Sequence, residues 1–68
     1  MKVLIIEDEP QAAQRIETLI RRLIPGVEVL DSIDSVSKSV EWIKGHPSPD
    51  LIFMDIQLAD GTSFQIFE

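Results

Sequence analysis

Two short apolar runs, Val3-Leu4-Ile5-Ile6 and Leu51-Ile52-Phe53-Met54, constrain this chain more than any other feature. Neither alternates with polar residues, and each stops on acids: Glu7-Asp8-Glu9 after the first, Asp55 after the second. Unbroken runs of this length are expected of strands buried on both faces, the habit of parallel sheets covered by helices. Between the runs lie helix patterns. Pro10 suits a first helical turn, where its missing N–H costs nothing. Ala12, Ile16, Leu19, Ile20 and Leu23 then recur at spacings of three and four, which predicts one apolar helix face. Arg21 and Arg22 lie near the helix end, where the dipole favours cations, and Pro25-Gly26 stops it.

Val27-Glu28-Val29-Leu30 reads as a second, half-exposed strand. Asp34-Ser35 supplies an N-cap for a second helix with Val36, Val40 and Ile43 as its stripe, ending near Gly45. His46-Pro47-Ser48-Pro49 is a loop, and lone His46 reads as an exposed loop residue. Trp42 reads as helix packing. Asp60-Gly61-Thr62 is a turn signal, and Ser63 to Glu68 reads as the start of a third helix. Strand, helix, strand, helix, strand, helix start is the α/β alternation of a parallel sheet with right-handed crossovers. The strand order consistent with it is 2-1-3. The third strand is then apolar on both faces yet lacks a neighbour on its far side, a template for another strand.

Length bounds the rest. Sixty-eight residues are about half of a typical domain. There is no cysteine, which excludes disulfides, thiolate metal sites and cysteine nucleophiles. Twelve acids against six bases leave a net charge of −6, which argues against a nucleic-acid-binding surface on these residues. No apolar run approaches the roughly 20 residues that span a bilayer, and the start lacks a signal peptide's long apolar region. The expectation is a cytoplasmic protein with no membrane contact, whose Met1 is a natural start and whose Glu68 is not a natural end.

Ligands of open parallel sheets bind beyond the carboxyl ends of the strands, where the winding reverses. Here that point lies between strands one and three, about 4.8 Å apart, so the carboxylates of Asp8 and Asp55 are expected to converge. Crowded carboxylates repel, and a cation relieves the repulsion. Oxygen ligands with open water positions suit Mg²⁺. An Asp beside such an ion can serve as a nucleophile and form an aspartyl phosphate, and the carbonyl of Gln57 could complete the metal shell. The plainer alternatives are that Glu7-Asp8-Glu9 serve the first helix's N-terminus and that Asp55 only caps a turn.

At these residues the chain resembles a response-regulator receiver domain of two-component signalling. The resemblance is carried by Lys2 to Glu9 and by Pro49-Asp50-Leu51-Ile52-Phe53-Met54-Asp55-Ile56-Gln57-Leu58-Ala59-Asp60-Gly61, and it covers all 68 residues. It implies the flavodoxin-like receiver sheet, of which residues 1–68 would be the N-terminal portion, with three strands in order 2-1-3, two helices and the start of a third. It implies that Asp55 is the phospho-acceptor and also a metal ligand, with Mg²⁺ bound between Asp8 and Asp55. Asp8 would be the direct Mg²⁺ ligand, Glu7 its acidic neighbour acting through water, and the Gln57 carbonyl a third protein ligand. The partner implied is a sensor histidine kinase, docking on the first helix and the loop before it. Ala59 and Ser63 depart from the family's frequent Pro and Gly. The family's switch Thr or Ser and its phosphate-binding Lys follow later strands, so neither can be assigned here. Asp55 to Phe67 also resembles receivers whose output is a LytTR-type DNA-binding domain. Transcription control and DNA contact would then reside outside these residues.

Two rival readings are weighed against a phospho-accepting signalling domain that is not itself an enzyme. One is a degenerate receiver acting as an interaction module without phosphorylation. The other is an Asp-nucleophile phosphatase of the haloacid-dehalogenase type, which wants a second Asp where Gln57 stands. A final expectation is self-association through strand three, because no disulfide is available to staple so small a chain.

Overall fold

The computed structural model describes the chain except for Ile56 and Glu68 and the side chains of Gln57 and Ser63. Strand β1, Lys2–Ile6, lies at the centre of a parallel sheet of order β2-β1-β3, with β2 at Glu28–Ile33 and β3 at Leu51–Met54. This is the expected order. Helices α1, Pro10–Leu23, and α2, Val36–Gly45, make the crossovers. Val3, Leu4, Ile5 and Ile6 are fully buried, each burial contributing roughly 1.5–3 kcal/mol. Because strand side chains alternate, they feed two cores. Val3 and Ile5 pack with Ile20, Ala13, Ile16 and Ile24 on the α1 side. Leu4 and Ile6 pack with Ile33, Val36, Val40, Trp42 and Ile43 on the α2 side.

Three details differ from the sequence reading. The face of α1 is narrower: Ile20 is buried and Ile16 packs beside it, but Leu19 and Leu23 are 52% and 74% exposed. The apolar stripe is wider than the strip of sheet beneath it. Strand β2 runs on through Asp31 and Ser32 to Ile33, because pairing with β1 carries the backbone past residues with no strand propensity. A bulge at Leu30 intervenes, since Val3 faces Val29 and Leu4 faces Asp31. The segment expected to open a third helix is a 3₁₀ turn, Ser63–Phe67. Five residues are too few to repay α-helix nucleation, and a 3₁₀ turn is the usual short form. Glu68, the last residue of that expected helix, lies outside the described residues.

The Asp60-Gly61 turn is borne out. It joins β4, Gln57–Leu58, to β5, Gly61–Thr62, in a small antiparallel hairpin. Gly61 has φ +150°, and a Cβ there would collide with the Gln65 side-chain amide, so this position favours glycine. Leu58 and Ile66 are buried in the α2-side core and anchor the segment that follows the sheet.

The α2 expectations also hold. Ser35 caps the helix, its Oγ accepting from the Lys38 N–H at 3.2 Å. His46 is exposed at the other end, where its Nδ1 lies 2.7 Å from the Trp42 carbonyl. Its ring stacks on Trp42 at 4.2 Å between centroids.

Candidate acidic site at the carboxyl ends of the strands

Backbone pairing places the acids. The Glu7 N–H donates to the Ile33 carbonyl at 2.8 Å, continuing the β1–β2 ladder by one residue. The Asp55 N–H donates to the Ile6 carbonyl at 3.0 Å, continuing the β1–β3 ladder in the same way. Glu7 and Asp55 are therefore fixed at neighbouring strand ends before any side chain is considered. The carboxylates of Glu7, Asp8 and Asp55 converge, with one oxygen from each lying within 4.8 Å of the others. Glu7 and Asp8 are half-buried and Asp55 is exposed, so the cluster has a protected floor and an open mouth.

The electrostatics match this crowding. Partial burial, then the nearby charge of Asp55, raises the Glu7 carboxyl above the usual glutamate value. A side-chain hydrogen bond with Asp55 adds to the rise, while the Asp8 N–H, donating to Glu7 Oε2 at 3.0 Å, opposes it. Three carboxylates crowded together form a poor structural motif and a good cation cradle. An ion with oxygen ligands would remove the repulsion, and its remaining positions would face the open mouth. The donor set therefore fits Mg²⁺.

The plainer reading of the first acids is not what the structure displays. Glu9 is the N-cap residue of α1, but its side chain makes no capping hydrogen bond; only its carbonyl accepts, from the Ala13 N–H at 3.0 Å. Glu7 and Asp8 turn toward Asp55 instead. Gln57 lies in β4, two residues beyond Asp55. An open cleft of about 710 Å³ runs from Glu7 and Asp8 along α1, past Pro10, Gln14 and Arg21, to Asp34 and Lys38.

One residue was missed by the sequence reading. Asp60 was expected only as a turn residue. Its carboxylate accepts from the Val36 N–H at 2.8 Å and the Ser37 N–H at 3.2 Å, the first amides of α2. These hydrogen bonds pull its carboxyl below the usual aspartate value. The contact spans 24 residues of sequence, and no local pattern marks it.

A parallel 2-1-3 sheet with acids gathered at the strand ends on either side of the winding reversal is consistent with part of a receiver-type α/β fold. Residues 3–68 match the family described as the response regulator receiver domain, and the chain belongs to that family. It is 35% identical over 66 residues to the Sensory transduction protein LytT of Bacillus anthracis, covering 97% of this chain and 26% of that protein. LytT of Enterococcus faecalis is 37% identical over 68 residues, 100% of this chain and 27% of the relative. The Phyllosphere-induced regulator PhyR of Methylorubrum extorquens is 40% identical over 62 residues, 91% and 22%. The chain thus spans about a quarter of the length of the curated relatives it matches. No solved structure matches. The chain is a signalling module of two-component systems rather than a classical enzyme. Among the described residues no helix is long and apolar enough to cross a membrane.

Proposed function

We propose that this chain is the N-terminal portion of a receiver that accepts a phosphoryl group on Asp55 from a sensor histidine kinase. The observation that carries the reading is the convergence of Glu7, Asp8 and Asp55 within 4.8 Å at two adjacent strand ends. An Asp55 carboxylate oxygen attacks the phosphorus of the kinase phosphohistidine. The P–N bond breaks as the new P–O bond forms, and the imidazole regains a proton from solvent. Asp8 and Asp55 would hold Mg²⁺, with Glu7 acting through water and the Gln57 carbonyl completing the protein ligands. The ion supplies neutralisation of the transferring phosphoryl oxygens. Asp55 is the exposed member of the three, as an acceptor approached by a second protein must be. The kinase docks along α1 and the loop before it, beside the cleft that opens from Glu7 and Asp8.

The LytT relatives are named as sensory transduction proteins; the output proposed is transcription control in the cytoplasm through a LytTR-type DNA-binding domain, with DNA contact outside these residues. The 68-residue chain alone self-associates through β3, whose outer edge carries Leu51, Phe53 and Met54 at 36–41% exposure.

The test is phosphoryl incorporation from a phosphorylated kinase or from acetyl phosphate, using a regulator of the relatives' length that carries this chain. Label that resists alkali and hydroxylamine, or that survives Asp55→Asn, would defeat the assignment. Absence of label with Mg²⁺ present would favour the non-phosphorylated interaction module.

A further inference from the structure

The hairpin after Asp55 is tied down at three points. Leu58 is buried in the α2-side core. The Thr62 N–H donates to Gln65 Oε1 at 2.9 Å. At the tip, Asp60 grips the start of α2 through the Val36 and Ser37 amides, at 2.8 and 3.2 Å. The first two anchors lie within the segment or beneath it. Asp60 fastens its tip to a separate helix by hydrogen bonds.

Helix α2 has a cap of its own in Ser35, and Asp60 adds to it. Ser35 already satisfies the Lys38 N–H, and the Ser39 hydroxyl donates to the Ser35 carbonyl at 2.7 Å, locking the cap residue in place. Asp60 takes the two amides that Ser35 leaves open. A carboxylate there is favoured by both the unpaired N–H groups and the helix dipole. The lowered carboxyl of Asp60 agrees with that geometry. The contact ties the start of α2 to the hairpin, whose first residue is Gln57.

The geometry points to Asp60 as a positioning residue for the metal site: by clamping the β4–β5 tip to α2, it holds the hairpin whose first residue, Gln57, lies two residues beyond Asp55. This inference rests on the Mg²⁺ reading above. Residues that orient a ligand without touching the ion commonly change metal affinity about 10- to 100-fold when removed. Two other anchors remain here, so the low end of that range is expected.

The experiment is a Mg²⁺ titration of a regulator of the relatives' length that carries this chain, followed by two-dimensional amide NMR, on the wild type and three variants. Asp60→Ala is expected to weaken Mg²⁺ binding about 10-fold while the spectrum stays dispersed. Asp60→Asn keeps one side-chain acceptor for the Val36 amide and is expected to fall between Asp60→Ala and the wild type. Ser35→Ala removes the local cap of α2 without touching the hairpin, and it is expected to leave Mg²⁺ affinity unchanged. The clamp is overturned if Asp60→Ala binds Mg²⁺ as the wild type does, or if Ser35→Ala weakens binding equally, since helix fraying would then explain both. Either result leaves the metal site standing. A wild type whose signals at Glu7, Asp8 and Asp55 ignore Mg²⁺ sinks the metal site and the clamp with it. Should Asp60→Ala unfold, the ordering of Asp60→Asn and Ser35→Ala still decides.

Discussion

On one flank of β1, β2 carries Asp31 and Ser32 on an exposed stretch and a bulge at Leu30; on the other, β3 runs in unbroken register with Leu51, Phe53 and Met54 open to solvent. Both strands are four to six residues long and parallel to the same neighbour. A charge and a bulge are what natural sheets place on an edge meant to stay an edge. Strand β3 has neither. The strand ends differ in the same sense. Asp34 follows β2 and pairs with Lys38 at 3.1 Å, whereas Asp55 follows β3 and joins two further acids. One flank is a finished boundary with neutralised charge. The other combines an open edge with concentrated negative charge, and the proposed acceptor site lies there.

The sharpest way to break this comparison is to exchange the roles of the two terminal acids. Asp55→Asn in a regulator of full length is expected to abolish phosphoryl incorporation, and Asp34→Asn to leave it intact. Phosphotransfer kinetics with a labelled kinase would measure both. Equal losses would mean that the two strand ends are functionally alike.

A second contrast concerns the edges themselves. Sedimentation of the 68-residue chain is expected to reveal a dimer or larger assembly, which Phe53→Lys reduces to monomer and Ser32→Lys does not. A two-fold pairing centred between Ile52 and Phe53 would set Leu51 against Met54 and Asp50 against Asp55. Two like charges would then meet at each end of the ladder. Raising the salt concentration is therefore expected to tighten the assembly by screening them. A folded monomer at high micromolar concentration, or an assembly indifferent to Phe53→Lys, would remove β3 as the contact.

Much of this contrast was legible in the residues. The unbroken runs at Val3 and Leu51 gave the strands, and the acids behind them gave the site, because strand ends and parallel spacing are set by backbone geometry. What stayed hidden depended on distant partners. Leu19 and Leu23 look like core at helical spacing, but burial depends on how much sheet lies beneath, which periodicity cannot report. Asp31-Ser32 lacks any strand signal, and only the β1 ladder makes it strand. Asp60 reads as a turn residue because its neighbours are Ala59 and Gly61; that its carboxylate reaches across to Val36 is a tertiary fact. Trp42 and His46 were each read alone, and their stacking follows from an i, i+4 spacing that a search for ligands passes over.

The pH response links the two flanks. Asp60 belongs to the β3 side of the chain and grips the helix that follows β2. Its carboxyl is lowered in the folded state, so the charged form is the one the fold favours. The stabilisation is therefore fully present above the ordinary aspartate value and is lost as pH falls through the lowered folded value. Helicity and the Val36 and Ser37 amide signals are expected to hold through mild acid and decline only below about pH 4. In Asp60→Asn that acid-side decline of the two signals should vanish. If it persists, another group controls the start of α2.

The smallest effect is expected at the finished boundary. Lys38 Nζ and Asp34 Oδ1 are 3.1 Å apart, but the side chains are 69% and 58% exposed. Water screens such a pair, and ordering two mobile side chains offsets most of the attraction. The spacing is i, i+4 with the acid first, the favourable orientation, worth about 0.3–0.5 kcal/mol. Asp34 also lies just before the α2 cap, where the dipole adds a few tenths of a kcal/mol at low salt. Asp34→Asn keeps a side chain suited to that position, so equilibrium urea unfolding should register a loss of about 0.5 kcal/mol or less, shrinking further with salt. A loss above about 1 kcal/mol would exceed what a screened surface pair supplies. The end of β2 would then hold structural charge of its own, and its contrast with the end of β3 would be one of degree.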